Sequence, residues 1–561
     1  MNRLFPGRLQ AVALACVASL SCSLPAMAGS VRFQVQELYT PQGAVSFAND
    51  INARGQVAGY VQSGDASTRR AAVWDGTTAL KLQLGDGTAS EAHAINDLGQ
   101  SVGWVNYGSS QSRAALWNGT QLTLLATSNW LDRAHDINNA GLVVGNLGGH
   151  AAAWDAQGVH NLGLLVNGGQ VASTAASVNS WGMIGGSAPV PATGFEPLAW
   201  YNNGNGYTQS GSFGVIAVND LGQALGLNDA RAMAPVMVWN GSVTPMLPDG
   251  VGGYFYKLNN AGQAVGSAQM PGGPAAGSAM LWSSSGGAVV INSVLQPGSV
   301  QLQWAGSLND AGQLAATTAN GRAAVLTPTG TLRWTGPSSG GAFNDAANWD
   351  SGLGFAPNRF LDVQLASAGR LDVTGIADDQ DVKSLLVGGS GGVNTLWLVE
   401  GGRINALEGS WLMPGGRLGT TANSDAVFAT GHLGGDLTMY AGSGIVLKAD
   451  TAASRQLDRL IVDGAVTLTG GDLVITLDGR FALRAGDSWD FLDFGSTSGQ
   501  FSQLRLPTLA SGLVWDSSRL YSDGVLSIAA AVPEPGSYGL MALGLLAIGW
   551  QRRGLFKRSS R

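Results

Sequence analysis

The stretch Ile51-Asn52-Ala53-Arg54-Gly55-Gln56-Val57-Ala58-Gly59 is the first of seven related segments. Their shared pattern is an apolar residue, Asn, two variable positions, Gly, then a short apolar run. It returns at Ile95-Asn96 with Gly99-Gln100, at Ile137-Asn138 with Gly141, and at Val178-Asn179 with Gly182. Three further copies are Val218-Asn219 with Gly222-Gln223, Leu258-Asn259 with Gly262-Gln263, and Leu308-Asn309 with Gly312-Gln313. Successive asparagines lie 44, 42, 41, 40, 40 and 50 residues apart. In Asn-x-x-Gly the Asn side chain bonds backbone two residues on and Gly takes a positive φ, so each copy predicts a tight turn between strands.

A second landmark alternates with the first. Small or apolar residues lead to Trp and a turn, as in Ala71-Ala72-Val73-Trp74-Asp75-Gly76 and Ala114-Ala115-Leu116-Trp117-Asn118-Gly119. Trp154, Trp200, Trp239 and Trp282 are in phase, and the seventh copy has Val325-Leu326 instead. Asp-Gly and Asn-Gly between alternating strands predict type I′ hairpins. Two hairpins make four strands per unit of about 40 residues, the size of a β-propeller blade. The Trp is expected between neighbouring blades, where its large apolar area is best buried. Val31-Arg32-Phe33-Gln34-Val35-Gln36 precedes the first Asn landmark and is in phase with the last strand of a unit, Thr120 to Leu125. It is therefore expected to complete the seventh blade and hide the sheet edges. An open β-solenoid would share the same strand density. The Asn-x-x-Gly-Gln segments and the Arg-Ala-Ala triplets at Arg70 and Arg113 resemble the HAF repeats of bacterial extracellular proteins, with the His-Ala-Phe triplet degraded.

Near residue 331 the repeat stops. Trp334-Thr335-Gly336 and the run from Gly341 to Trp349-Asp350, with Pro357 following, resemble the opening of autotransporter-like β-helix regions. Glycine pairs at Gly401-Gly402, Gly415-Gly416, Gly434-Gly435 and Gly470-Gly471 then divide short alternating strands, a β-solenoid pattern. Gly512 to Ile528 reads as a closing cap. The expected fold class is all-β: a seven-bladed β-propeller over 29–330, then a β-solenoid or β-sandwich-like domain over 331–528.

Both ends of the chain carry targeting patterns. Arg3 and Arg8, the apolar run Ala11 to Leu20, and Ala26-Met27-Ala28 before Gly29 form a signal peptide over 1–28. Cys16 and Cys22 both lie inside it, and Ser19 three places before Cys22 argues against a lipoprotein. The mature chain then has no thiol chemistry. At the other end stand Val532-Pro533-Glu534-Pro535, a short apolar segment over 536–550, and the basic residues Arg552, Arg553, Lys557, Arg558 and Arg561. The segment is short against the about 20 residues of a permanent span. The cations behind it would stay cytoplasmic as a stop. Residues 529–561 resemble the PEP-CTERM sorting signal of Gram-negative bacteria. That resemblance implies export by the secretion translocon, brief retention by a short transmembrane helix, cleavage by an exosortase, and a place at the cell surface or in a biofilm or exopolysaccharide matrix.

The 561 residues include 83 Gly, and only 12% are charged. Setting aside seven cations in the two ends and Glu534 leaves 23 basic against 36 acidic residues, a net charge near −13. Such a surface repels phosphate backbones and argues against nucleic-acid partners. No catalytic, cofactor or metal residues emerge. His93, His135, His150, His160 and His432 form no metal spacing, and His93 and His135, just before Asn landmarks, read as repeat-surface residues. Gly388-Gly389-Ser390-Gly391-Gly392 matches G-x-S-x-G only formally, since no helix follows. Asp378-Asp379-Gln380-Asp381 lacks the spaced ligands of a Ca²⁺ loop and reads as a solvated turn. Asp97, Asp220 and Asp310 are explained by turn chemistry. The expectation is a non-catalytic binding or structural module, with extracellular polysaccharide as a partner. The alternative is a polysaccharide-active enzyme, a glycoside hydrolase or lyase, with two acids roughly 5–9.5 Å apart. A close acid pair beside an exposed aromatic at the central mouth would favour that alternative.

Overall fold

The structure is a computed structural model. It describes residues 31–531 and 543–547, apart from 109–110, 126–130, 164, 167–168, 171, 191–193, 203–206, 211–213, 229–233, 240–241, 248–252, 269–277, 376–377, 422–427, 451–455 and 479–482. By packing, the chain divides into two units. One holds residues 1–336 and 344–364, the other 337–343 and 365–561. Residues 344–364 thus pack with the repeats although the repeat pattern ends near 330.

The first unit is a propeller-like ring of seven four-stranded antiparallel sheets. The first sheet contains Val45–Ile51, Val57–Gln62, Arg70–Asp75 and Thr78–Lys81. The next five begin at Ala89–Ile95, Arg133–Ile137, Thr174–Val178, Gly214–Val218 and Gly253–Leu258. The seventh holds Leu302–Leu308, Leu314–Thr318 and Ala323–Thr329. Its fourth strand is Arg32–Glu37, from the other end of the repeat region, paired antiparallel from Arg32↔Thr329 to Glu37↔Ala324.

The Asn landmarks behave locally as the turn chemistry predicts. Asn52 Oδ1 accepts from the Arg54 and Gln56 N–H groups, and Gly55 has φ +80°. Each asparagine does a second thing. Its amide donates to the backbone carbonyl of the next landmark: Asn52 to Asn96 at 2.9 Å, Asn96 to Asn138 at 3.1 Å, Asn138 to Asn179 at 2.9 Å. The series continues through Asn219 and Asn259 to Asn309, whose amide returns to the Asn52 carbonyl at 3.0 Å. All seven side chains are buried. Seven unpaired amides in such a place would be costly, so each fixes the spacing of adjacent sheets.

Trp74, Trp117, Trp154 and Trp282 are buried, and each packs against apolar residues of the preceding sheet. Trp117, for example, lies with Ala58, Ala71 and Val73. In the hairpins after Trp74 and Trp117 the loop residues are Gly76-Thr77 and Gly119-Thr120, not Asp75-Gly76 and Asn118-Gly119, because Asp75 and Asn118 still pair with Thr78 and Gln121. Gly76 and Gly119 take φ +58° at the first loop position, where a Cβ would be strained.

The second unit is a β-solenoid of parallel strands. One sheet stacks Leu371–Thr374, Asn394–Val399, Gly416–Thr421, Gly444–Asp450, Asp472–Asp478 and Gln503–Arg505. Its inward positions align as Val373, Leu396, Leu418, Ile445 and Leu473, all buried. Two further rows of strands converge on Arg459–Leu468. The glycine pairs lie at corners, with positive φ at Gly401, Gly415, Gly435 and Gly471. The end is a three-stranded antiparallel sheet of Ser488–Asp490, Val525–Ala530 and Leu513–Asp516, which also carries a short helix, Leu520–Asp523, absent from the sequence reading. Asp379–Asp381 open a strand rather than a turn, and Asp381 accepts from the Asn405 amide at 3.0 Å.

Among the described residues no helix is long and apolar enough to cross a membrane. Residues 543–547 are helical and exposed. The rest of the predicted 536–550 segment lies outside the described residues. So do Ala26, Ala28 and Gly29, Val532 to Pro535, and Arg552, Arg553, Lys557 and Arg558.

Candidate functional site

In all seven sheets the innermost strand is irregular at a shared place, and the seventh has a second shift between Leu302 and Trp304. The register shifts between the residues four and two before the landmark Asn, for example Ala48/Asp50, Ala134/Asp136 and Phe255/Lys257. Such a bulge leaves a backbone N–H without a ladder partner and re-aims neighbouring side chains. The residues two before Asn are Asp50, Ala94, Asp136, Ser177, Ala217, Lys257 and Ser307. Asp50 accepts from the Ile95 N–H at 2.9 Å, and Asp136 from the Val178 N–H at 3.0 Å. A carboxylate on one sheet thereby accepts from an inner-strand N–H of the next, just past its bulge.

The same two acids meet on one ammonium. Lys257 Nζ lies 2.9 Å from Asp136 and 3.9 Å from Asp50. Ser307 adds a hydroxyl bond to Asp50 at 2.6 Å. Burial pushes the Asp50 carboxyl above its ordinary range, only partly offset by Lys257. Burial disfavours the Lys257 ammonium, but Asp136 and Asp50 outweigh it and hold the group above the usual lysine range. A close acid pair therefore exists on the ring axis, yet a cation bridges it and backbone and hydroxyl donors occupy its oxygens. Among the described residues no group of three His, Cys, Asp or Glu side chains is arranged to hold a metal ion.

His93 and His135, read from the sequence as repeat-surface residues, are half-buried in the structure. They occupy the bulge position of adjacent sheets and stack with centroids 5.6 Å apart. The Trp104 indole N–H donates to His93 Nε2 at 3.2 Å, and an indole nitrogen only donates. His93 Nε2 is therefore bare, and Nδ1, 3.1 Å from the Ala134 carbonyl, carries the hydrogen. The ring is neutral, so the nearby Glu91 is not its ion-pair partner. Burial and then Arg133 bring the His93 pKa down to about 4. Burial and then His93 do the same to His135.

A pH effect follows with a definite sign. Between the ordinary value of 6.5 and about 4, the unfolded chain binds protons that the folded rings refuse. Stability should fall as pH drops through that window, by on the order of 2 kcal/mol for each ring. Asp50, with its raised pKa, acts in the opposite sense at the acid end. Urea midpoints at pH 7 and 4.5 check this. A His93→Gln/His135→Gln chain should show the shallower slope, and identical slopes would contradict the assignment.

Other sequence candidates have local roles. Asp97 Oδ1 caps the Ala53 N–H of the preceding unit at 2.8 Å, and Asp220 and Asp310 do so for Ser180 and Asn260. Ser390 sits in a turn of positive-φ glycines, followed by the strand Asn394–Val399, and its hydroxyl donates to the Ser367 carbonyl.

The second unit contributes a groove of about 580 Å³ on the outward face of its parallel sheet, lined by Arg370, Thr395, Trp397, Arg417 and Val446 among others. Asp372 organises one side of it, accepting from Arg370 Nε at 2.7 Å and from the Trp397 indole at 3.2 Å.

Residues 531–553 match the PEP-CTERM protein-sorting motif. The motif implies an exosortase-targeted, extracellular protein. No curated protein matches the chain. Among solved structures, the chain is similar to the β-propeller domain of Myceliophteria thermophila Cps50 (Swd1), at 9% identity over 52% of this chain and 99% of that one, with a TM-score of 0.31. It is also similar to the N-terminal domain of Nup159, at 11% identity over 54% and 96%, TM-score 0.31. A third is a mutant Aleuria aurantia lectin in complex with alpha-methyl-L-fucoside, at 12% identity over 47% and 99%, TM-score 0.25. These matches do not bear on the resemblances drawn for the repeats and for the second half.

Proposed function

We propose that this chain is an exported, exosortase-processed protein of the cell surface or extracellular matrix that works as a non-catalytic binding and structural module. The observation that carries the reading is the pairing of a sorting motif at 531–553 with an axial acid pair that Lys257 bridges. A glycosidase needs one free acid and one free base across its substrate. Asp50 and Asp136 are both committed to backbone, hydroxyl and ammonium donors. In this reading Ala26, Ala28 and Gly29 mark the first cut. Residues 536–550 then hold the precursor in the inner membrane, with Arg552, Arg553, Lys557 and Arg558 as the stop. Extracellular polysaccharide is the expected partner.

Replacing Pro533, Glu534 and Pro535 by alanine tests the export step. The precursor should stay in the inner-membrane fraction at full length, with mature protein outside reduced at least tenfold. Ordinary release of that variant would sink the sorting assignment. Release of reducing sugar from polysaccharide by the purified exported protein would sink the non-catalytic one.

A further inference from the structure

The outward face of the solenoid sheet carries a second feature that neither the sorting motif nor the ring explains. Across the rungs the register aligns Thr374, Trp397, Gly419, Val446 and Val474, and beside them Asp372, Thr395, Arg417, Gly444 and Asp472. Trp397 is the one aromatic in these two rows. Its indole lies over Gly419 so closely that a Cβ there would stand 2.4 Å from the ring. The glycine is not needed for an unusual φ. It is needed to let the ring lie down against the sheet. The indole N–H is tied to Asp372 from the side, which fixes the ring's rotation. A large flat ring, half-buried, is thus held in place on the outer face of the sheet beside the groove.

The charges around it are uneven. Arg370 is paired with Asp372. Arg417 is exposed, lines the same groove, and has no ion-pair partner among the described residues. The groove crosses four rungs, from the one holding Arg370 to the one holding Val446. At the usual strand spacing of about 4.8 Å this spans about 14 Å, room for several linked units rather than one small anion. At about 580 Å³ it has the size of a ligand site.

We propose that this groove binds an acidic oligosaccharide, with a sugar ring stacked on Trp397 and its carboxylate on Arg417. The proposal rests on the binding-module reading above and names its ligand class. A pyranose has an apolar face that suits the indole, which Asp372 holds in place through the ring N–H. A guanidinium matches a carboxylate with two parallel hydrogen bonds. Inorganic phosphate satisfies Arg417 but leaves Trp397 without a partner.

Calorimetric titration of the purified exported protein tests this, with oligogalacturonate as probe beside its methyl ester and inorganic phosphate. The wild-type protein should bind the acid oligomer. Trp397→Ala should weaken binding at least tenfold. Gly419→Ala keeps the indole but lifts it off the sheet, and should weaken binding by a similar factor. Arg417→Gln alters only an exposed side chain, and should bind acid and ester alike. The proposal is overturned if the wild-type protein ignores the acid oligomer, if phosphate binds as well as the oligomer, or if Trp397→Ala and Gly419→Ala both bind like wild type. Retained glycan binding in those two variants would remove this groove while leaving the binding-module reading standing. Oligomer shortened during the titration would remove that reading itself.

Discussion

Lys257→Met is expected to destabilise the protein by about 3–5 kcal/mol, the usual cost of removing one partner from a buried ionic group. The reason lies in what stays behind. Asp50 and Asp136 both face the vacated ammonium, and their exposures of 8% and 9% leave little water to replace it. Two carboxylates would then share one buried site, which favours protonating one of them. A buried acid whose folded pKa is raised above the unfolded value adds stability at low pH and loses it as pH rises. The damage should therefore be largest near neutrality and shrink below about pH 5. The triple variant Lys257→Met/Asp50→Asn/Asp136→Asn removes all three charges with little change in volume and should recover most of the loss. Its amides still leave oxygens to accept from Ile95 and Val178. Urea unfolding at pH 7 and 5 measures all of this. A Lys257→Met chain within 1 kcal/mol of wild type at pH 7 would mean that water already screens the cluster.

That cluster was within reach of the sequence and was passed over. Aligned on the landmark Asn, the column two residues earlier reads Asp50, Ala94, Asp136, Ser177, Ala217, Lys257, Ser307. Two acids and a lysine among small residues in an inner-strand column are an axial charge group once the ring closes. The repeat spacing gave the ring. What it could not give was the bulge that turns this column toward the axis, because the shift depends on pairing with the next strand. The histidine pair was out of reach for the same reason: His93 and His135 precede the landmark in sequence, but only the bulge stacks them on each other. The asparagines show a different limit. Their turn role is local and readable. Their bond to the next unit spans 40 to 50 residues, and is recognisable only when seven units share an axis.

In the second half the corners were legible and the faces were not. Gly415-Gly416 and Gly434-Gly435 read as turns from composition alone. Parallel pairing joins Trp397 to Gly419 across a rung with no local signal, since either residue alone fits many strands. The Trp landmarks of the repeats carried more information because they recur. A tryptophan recurring in six of seven units is a packing element, whereas a single Trp397 beside an arginine with no ion-pair partner among the described residues is a different kind of object.

Removing Val31 to Glu37 should do more damage than any single substitution in the ring. This segment is the fourth strand of the seventh sheet, and six residue pairs join it to Ala323–Thr329. It is held from its other side as well, since the Gln296 N–H donates to the Phe33 carbonyl at 2.9 Å. Phe33 is fully buried and meets Phe355 edge to face at 5.9 Å. Phe33→Ala alone should cost about 3–5 kcal/mol through the cavity it leaves. Without the strand, Ala323–Thr329 becomes an open edge, and ring closure between the seventh and first sheets falls largely to shorter contacts. The polar ones include the Asn309 amide on the Asn52 carbonyl, the Ser307 hydroxyl on Asp50, and the Ala323 N–H on the Ser46 hydroxyl, and a typical such bond contributes only about 1 kcal/mol net. An exposed edge of that length also templates pairing with a second chain. The shortened protein should unfold at markedly lower urea, lose a single sharp transition, and elute in part as aggregates. Protease should cut first near the freed seventh sheet. A truncated chain that keeps the wild-type midpoint and stays monomeric would show that the asparagine ring and the inter-sheet core close the circle unaided, and the terminal strand would then be a cover rather than a clasp.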